Sequence, residues 1–389
     1  MGYRAGIDDQ HLEIRPVASG AGMRDFHRVP YTVYRDEPNW IPPLRLERRV
    51  HFSHSLNPFF KHATARYWMA YRDNRPIGRI SAQINQLHLD RYRDGTGHFG
   101  FIEALDDPAA FSALLGVAED WLAANGMTRV LGPISFSMWD QCGLLVEGFN
   151  TPPYFMMGHA KPYFDTHIKA AGYRGTQDLL AFEYDHCTPL PPLAARIVDR
   201  ALKSKEITVR PIRKNRKYFD ADVKAMMDIV NDGWSENWGF VPITEDEMHE
   251  IAMMVRLALQ PGDVAIAEYN GEAAAFTMVI PDFNEAIRDL GGRLFPFGWA
   301  KFLWRLKVTG TRRKRMPFMG VRKKLQSSPV GAALALAVIA SARNFNVAKG
   351  AEYGELSWVL EQNEKVRHII ALVGAREHKR YRIYERQIA

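Results

Sequence analysis

A short β-rich hairpin occurs once in each half of this chain, and the elements around the two copies run in the same order. The first hairpin joins Tyr67–Tyr71 to Pro76–Ile84 around Asp73-Asn74, and the second joins Val264–Glu268 to Ala273–Ile280 around Asn270-Gly271. Such dipeptides tolerate the left-handed backbone that a tight hairpin requires. A short strand and a helical stretch precede each: Leu12–Val17 and the residues to Arg35 in the first half, Ile207–Pro211 and Ala221–Trp234 in the second. After the first hairpin come a strand at His98–Ala104, a helix at Pro108–Asn125 closed by Gly126, a strand at Arg129–Leu131, a helix at Lys161–Ala171 and a strand at Leu179–Tyr184. After the second come a strand at Met316–Val321, a helix at Val330–Phe345, a strand at Glu355–Leu360, a helix at Asn363–Val373 and a strand at Tyr381–Glu385. Strands alternating with helices predict an α/β (α+β) mixed sheet flanked by helices, built twice.

The chain has 389 residues, more than one hydrophobic core normally fills. Residues 1–190 and 206–389 therefore read as two domains, with residues 191–205 as a linking helix after the proline-broken His186–Leu193. Thr244 and Glu247 form a capping box that opens a helix in the second half.

An apolar content of 47% and a charged content of 24% exclude a disordered or fibrous chain. Cys142 and Cys187 are too few for a disulfide framework and fit a reducing compartment. No signal-peptide core is expected in the N-terminal MGYRAGIDDQHLEI. The longest apolar run, Val330–Ala340, is well short of the roughly 20 residues of a spanning helix. The expected location is cytoplasmic. The net charge of +7 calls for an anionic partner.

Met319-Gly320-Val321, a basic loop through Gln326-Ser327-Ser328 and the helix start Val330-Gly331 form a strand, loop and helix in succession. The first turn of such a helix offers unpaired amides and a positive dipole end to a phosphate. A solvated loop capping a core helix is the alternative. In the first half the equivalent junction is FIEALDDP, where Asp106 and Asp107 would repel a phosphate, so one cofactor site per chain is expected.

Charge concentrates at Arg293–Lys324, which holds Phe295, Phe297, Trp299, Phe302 and Trp304 among eleven Lys and Arg and no acid. Interleaved base and aromatic suit a helix lying in an anionic membrane surface. Nucleic acid is the rival, and with no nucleic-acid module pattern present it is not the expected partner. Trp234, Trp238 and Phe240, in the loop after the first helix of the second half, are candidates to line an acceptor site, or ordinary core. Ser137, Asp140 and His159 lie among aromatics and methionines that suit an alkyl chain. No nucleophile elbow surrounds Ser137, so a hydrolytic triad is not read there.

The loop with Gln326 and Gly331 resembles the coenzyme A loop of the GNAT superfamily, with Pro329 where that family usually has its first glycine. Glu355–Asn363 resembles its fifth strand and last helix, Asn363 matching a position that commonly contacts coenzyme A. Asn57–Ala82, Gly132–Phe149 and Glu355–Ile388 look like bacterial ceramide synthases, GNAT-related proteins that N-acylate a sphingoid base. The resemblance implies tandem GNAT-like domains, the first degenerate. It also implies acyl-CoA as donor with no metal, a long-chain amine lipid as acceptor, and peripheral work on the inner face of the membrane. The tyrosine that serves GNAT enzymes as general acid is Ile370 here, leaving His368, Tyr381 or water. Amine acylation also needs a base, for which Glu355 is the candidate, with a surface ion pair as its other reading. Neither cysteine lies near the cofactor segment, so direct amine attack on the thioester is expected. A noncatalytic acyl-CoA-binding protein and an N-acyltransferase of a small soluble amine are the alternative readings.

Overall fold

The computed structural model describes residues 11–18 and 20–388; most of the N-terminal stretch read for export lies outside them. In the first half, β1 (Leu12–Pro16) leads through α1 (Gly20–Val33) and α2 (Arg45–His51) to the hairpin β2 (Ala63–Arg72) and β3 (Arg75–Asn85). Asp73 and Asn74 take φ of 47° and 62°, the left-handed pair that the turn dipeptide predicts. Then come α3 (Gln86–Tyr92), β4 (Thr96–Ala104), α4 (Pro108–Ala124), β5 (Arg129–Gly132), the small hairpin β6 (Ile134–Ser135) and β7 (Gln141–Cys142), β8 (Leu144–Glu147), α5 (Tyr163–Ala170) and β9 (Arg174–Asp185).

Helix α6 (Pro192–Lys203) opens the second half. It continues with β10 (Ile207–Pro211), α7 (Arg216–Gly233), α8 (Glu245–Ala258), the hairpin β11 (Val264–Tyr269) and β12 (Glu272–Pro281), α9 (Phe283–Ile287) and α10 (Gly298–Trp304). The order ends with β13 (Arg313–Val321), α11 (Pro329–Val347), β14 (Tyr353–Leu360), α12 (Glu364–Leu372) and β15 (Arg376–Gln387). The expected mixed sheet flanked by helices is present, and the Thr244–Glu247 capping box is formed.

The two halves are joined through one sheet, ordered β1-β2-β3-β4-β5-β15-β9-β14-β13-β12-β11-β10. Each half gives its last strand to the other. β15 pairs with β5 of the first half, β9 pairs with β14 of the second, and β15 and β9 pair with each other at the centre. The hydrogen bonds therefore cross the division at 191–205 that the chain order suggests. Lys379 on β15 is buried and donates its Nζ to the carbonyl oxygens of Gly148 and Thr151, tying down a first-half loop. Burial pushes that amine down to about 8.

Helix α11 is long and apolar enough to cross a membrane by length and composition. It lies instead on the sheet, with Leu334, Val338 and Ala342 packed against Ala265, Ala267, Ala275 and Val279.

Edge strand β10 is held to α7 by Asp222, 1% exposed, which pairs with Arg210 at 2.9 Å and accepts from the Arg213 amide at 2.9 Å. Burial works against ionisation there, and the two guanidiniums outweigh it, so the carboxyl sits below the usual carboxylate range. Asp222→Ala is expected to cost about 1–3 kcal/mol in urea unfolding, because it removes charge-assisted hydrogen bonds from a buried carboxylate while Arg210 keeps Glu268 and Arg213 is left to solvent. The wild-type contribution is fully present above the unfolded carboxyl value of about 4 and fades as pH falls through the lower folded value.

Candidate active site

In the second half, β13 and β14 run parallel only from Arg313–Met316 against Tyr353–Leu356. Beyond that, β13 stays with β12 as far as Val321, while β14 stays with β9 through Leu360. The strands thus part like a fork. The gap opens into a cavity of about 1490 Å³ lined by Phe318, Met319, Gly320 and Val321 on one prong and by Ser357, Trp358, Val359 and Leu360 on the other.

Helix α11 starts at the mouth of the fork. Ser328 Oγ accepts from the Gly331 amide at 3.0 Å and donates to the Leu325 carbonyl oxygen at 2.6 Å. Gly331 is required by space: a Cβ there would lie 2.1 Å from that same carbonyl oxygen. Gln326 Nε2 donates to the carbonyl oxygens of Gly233 and Val321 at 2.8 and 3.0 Å, so it braces the loop against α7. Pro329 occupies the first helical turn, where a backbone amide has no helical partner to lose.

The structure brings Met319, Gly320, Val321, Gln326, Ser327, Ser328, Gly331 and Asn363 to the cavity wall. Val330 is not on that wall: its half-buried side chain packs against the core formed by Leu334, Val338 and Ala342. Asn363 Oδ1 caps α12 by accepting from the Val366 amide. Lys323 and Lys324 of the basic loop pair with Glu236 and Glu272.

The first half has the same fork, with β4 and β5 paired from Thr96–His98 against Arg129–Leu131. There the chain fills its own gap. Ile134 and Ser135 run along Gly100, where a Cβ would lie 2.4 Å from the Ile134 carbonyl oxygen, and Ser135 Oγ accepts from the Phe101 amide. Asp107 accepts from the amides of Ala109 and Ala110 at the start of α4, so its own carboxylate sits where a phosphate would. Of these two forks, the second-half one is open and the first-half one is filled.

The rest of the cavity is walled largely by the first half. Trp139 stacks on Trp234 and Phe318 with ring centroids 5.7 and 5.8 Å apart, and Phe240 meets Trp139 edge-on. Trp238, Ser137, Asp140 and His159 also line it, as do Met138, Met156 and Met157. Ser137, Asp140 and His159 do not act together: His159 faces Glu37 at 3.8 Å. The partner of Asp140 is His51, its Nε2 2.6 Å from Asp140 Oδ2. Sequence reasoning passed over His51, which stands at the end of a helix of arginines with no motif around it.

Two of the expected catalytic residues are placed differently from the expectation. Glu355 does not line the cavity; it is sealed beneath it, with Oε1 accepting from Ser357 Oγ at 2.6 Å and Oε2 lying 2.8 Å from His378 Nε2. Burial opposes its charge, yet His378, Arg315 and Ser357 together hold its carboxyl below the usual range. Tyr381 is fully buried under the Trp358 ring, and burial raises its phenol well above the usual tyrosine value. Both lie on the sheet face covered by the first-half loop that contains Tyr154 and Met157, a covering that strand spacing alone does not reveal. His368 does reach the cavity, and Ile370 forms part of its apolar wall. Among the described residues no group of three metal-ligating side chains occurs.

No protein-family model matches the chain. It is 42% identical over 379 residues to the bacterial ceramide synthase of Caulobacter vibrioides, covering 97% of this chain and 98% of that protein. It is 41% identical over 376 residues to protein YghO of Escherichia coli, covering 96% and 95%. Among solved structures, a tandem GNAT protein from the clavulanic acid biosynthesis pathway superposes with a TM-score of 0.55 over 97% of this chain and 99% of that one; at 12% identity this likeness shows the fold alone.

Proposed function

The chain belongs to the family of the bacterial ceramide synthase, an N-acyltransferase family of GNAT fold, and from that premise we propose that it transfers the acyl group of an acyl-CoA to a long-chain, sphingoid-base-like amine. The observation that carries this reading is the single cavity running from the second-half fork into an aromatic and methionine-lined chamber of the first half. Its volume of about 1490 Å³ exceeds the roughly 300–1,000 Å³ of an ordinary small-ligand pocket and suits two flexible chains meeting end to end.

In this reading the pyrophosphate rests on the start of α11 at Ser327, Ser328 and Gly331, and the pantetheine arm lies between β13 and β14. Asn363 and Gln326 border it. Glu355 keeps the polar floor charged through Ser357, and His368 stands beside the thiol side. Incubation of purified protein with acyl-CoA and sphinganine or 3-ketosphinganine is expected to release CoA thiol and yield an N-acylated base by mass spectrometry. Acyl-CoA binding without either product would instead support a noncatalytic binder, and turnover of only small soluble amines would remove the lipid acceptor.

The acceptor arrives from the inner face of the membrane, in this proposal, past α10. Phe302 lines the cavity, whereas Trp299, Leu303 and Trp304 on the same helix, Phe295 and Phe297 before it, and Met253 and Leu257 of α8 are exposed. The basic residues contribute less than the run suggested. Lys301 and Arg305 pair with Asp289, Arg312 with Glu352 and Arg313 with Asp282, while Lys314 and Arg315 are buried in β13. Insertion of aromatic side chains therefore dominates over charge. The double variant Trp299→Ala, Trp304→Ala is expected to lower sedimentation with phosphatidylglycerol vesicles by about tenfold or more, given roughly 1.5–3 kcal/mol for each large apolar side chain fully buried. Binding of the wild type should change little between low and moderate salt; a steep salt dependence would restore charge as the main attraction.

A further inference from the structure

We propose that His51, oriented by Asp140, is the base that takes the proton from the acceptor amine, so that the first half deprotonates the nucleophile while the second holds the thioester. This assignment rests on the acyltransferase reading above.

An ammonium has no lone pair and must lose a proton before it attacks a thioester. The base therefore has to face the cavity, be unengaged at one atom, and lie toward the point where β13 and β14 part. Glu355 and Tyr381 are sealed away. His368 faces the cavity from the exposed side of α12. His27 and His159 also face it, and burial pushes each down to about 4, too weakly basic for the task. His51 differs by its partner: it and Asp140 both line the cavity, with side chains 18% and 14% exposed.

The pair is built to hold one orientation. Asp140 Oδ1 accepts from the Gln141 amide at 2.8 Å, leaving Oδ2 for His51 Nε2. Burial opposes the charge of Asp140, and His51 and Arg48 overcome it, so its carboxyl lies below the usual range. The imidazole is flanked by Phe52, Phe101 and Phe136 at centroid distances of 5.6, 6.1 and 4.9 Å. Nε2 lies 2.6 Å from Asp140 Oδ2, so a proton carried on Nε2 leaves the basic lone pair on Nδ1, and the adjacent carboxylate stabilises the imidazolium that forms. The link to the donor is Trp139, the residue before Asp140, whose ring lies on Phe318 just beyond the last β13–β14 pair.

The step balances as follows. The ammonium gives one proton to His51 Nδ1, and the freed lone pair forms the C–N bond as the carbonyl π pair moves to oxygen. That pair returns as the C–S bond breaks. A second N–H proton ends on the departing thiolate, giving amide and CoA thiol, and His51 releases its proton to solvent.

The test uses the full chain with acyl-CoA and sphinganine, reading CoA thiol release and N-acylated product from about pH 6 to 9.5, a range over which the protonated fraction of the acceptor amine falls. The titratable groups coupled to His51 are Asp140, His27 of α1 and Glu250 of α8, with Arg48 of its own helix beside Asp140; His27, pushed down to about 4, stays neutral across that range. His51→Ala and His51→Gln are expected to lose about 10²–10³-fold in kcat with acyl-CoA affinity unchanged, within the usual reach of a positioned base. The deficit should narrow toward high pH, where the amine is already unprotonated, and imidazole should restore part of the rate to His51→Ala. Asp140→Asn should fall in the same direction by less. A rate within threefold of wild type, or a loss equal at every pH with no imidazole rescue, overturns the assignment. Should His51→Ala lose acyl-CoA binding through misfolding, His51→Gln and Asp140→Asn decide by the same criteria. If wild-type protein binds acyl-CoA and acylates no amine, the acceptor reading itself fails, and the base assignment with it.

Discussion

Removal of the chain from Arg376 onward is expected to leave no folded protein, rather than a folded and inactive one. β15 is the last strand in sequence and a central one in space, paired with β9 along its length and with β5 and β8 on its other side. Tyr381, Ile383 and Tyr384 are 0% exposed. Burying side chains of that size is worth about 1.5–3 kcal/mol each, against a total stability of only 5–15 kcal/mol for a typical domain. The deletion also bares the edges of β5 and β9, whose amides and carbonyls have no other partners there, and such edges aggregate. Because β9 is exchanged in the opposite direction, residues 1–205 and 206–389 expressed singly should both be insoluble, and co-expression should recover a complex in which a tag on one fragment captures the other. A soluble, cooperatively unfolding 206–389 fragment would show that the exchange is dispensable.

That exchange also marks what local sequence could reveal. The hairpins were legible because their evidence is short-range: an alternating run, a dipeptide with left-handed preference and a second run. Helix α11 and its loop were legible for the same reason. Partner choice was not, because Tyr381 and Ile383 alternate with Arg380 and Arg382 in a way that suits any neighbouring strand, and nothing within β15 names β5 as its neighbour. Charge misled in a related way. β13 reads as beginning at Met316, since Arg313, Lys314 and Arg315 look like surface. The strand begins at Arg313, and Arg315 is fully buried because Ser357 accepts from its Nε and the Phe155 carbonyl accepts from its Nη1.

The second-half fork was largely legible, since strand, loop and helix start lie in succession, and of the residues singled out there Val330 alone stands off the cavity wall. The acceptor side was legible in composition alone. Trp234, Trp238, Phe240, Ser137, Asp140 and His159 all reach the cavity, yet the contact that gives Asp140 its chemistry comes from a helix far away in sequence. Glu355 was singled out as an acid on the strand beside the fork. It shares a strand face with Ser357 but lies sealed beneath the cavity wall, joined to it through the Ser357 hydroxyl and the Arg315 guanidinium.

Blocking the second-half fork should remove acyl-CoA binding from a protein that otherwise stays folded. Ala332 lies on the first turns of α11, half-buried, with its side chain on the cavity wall. Ala332→Trp places a large ring where the donor would pass without requiring a core residue to move, because the space it enters is the cavity itself. The wild type should bind one acyl-CoA per chain in calorimetry, since the first-half fork is filled by Ile134 and Ser135 and Asp107 holds the amides of α4. In Ala332→Trp the affinity should fall by on the order of 100-fold or more, equivalent to about 2.8 kcal/mol, with the thermal transition little changed. Asp107→Ser is the converse test. It removes the repelling charge at α4 and leaves the plugged fork intact, so it should create no second site. Acyl-CoA bound at two per chain, before or after that substitution, would mean that the plug yields, and that the two copies of the fold differ less than their hydrogen bonds indicate.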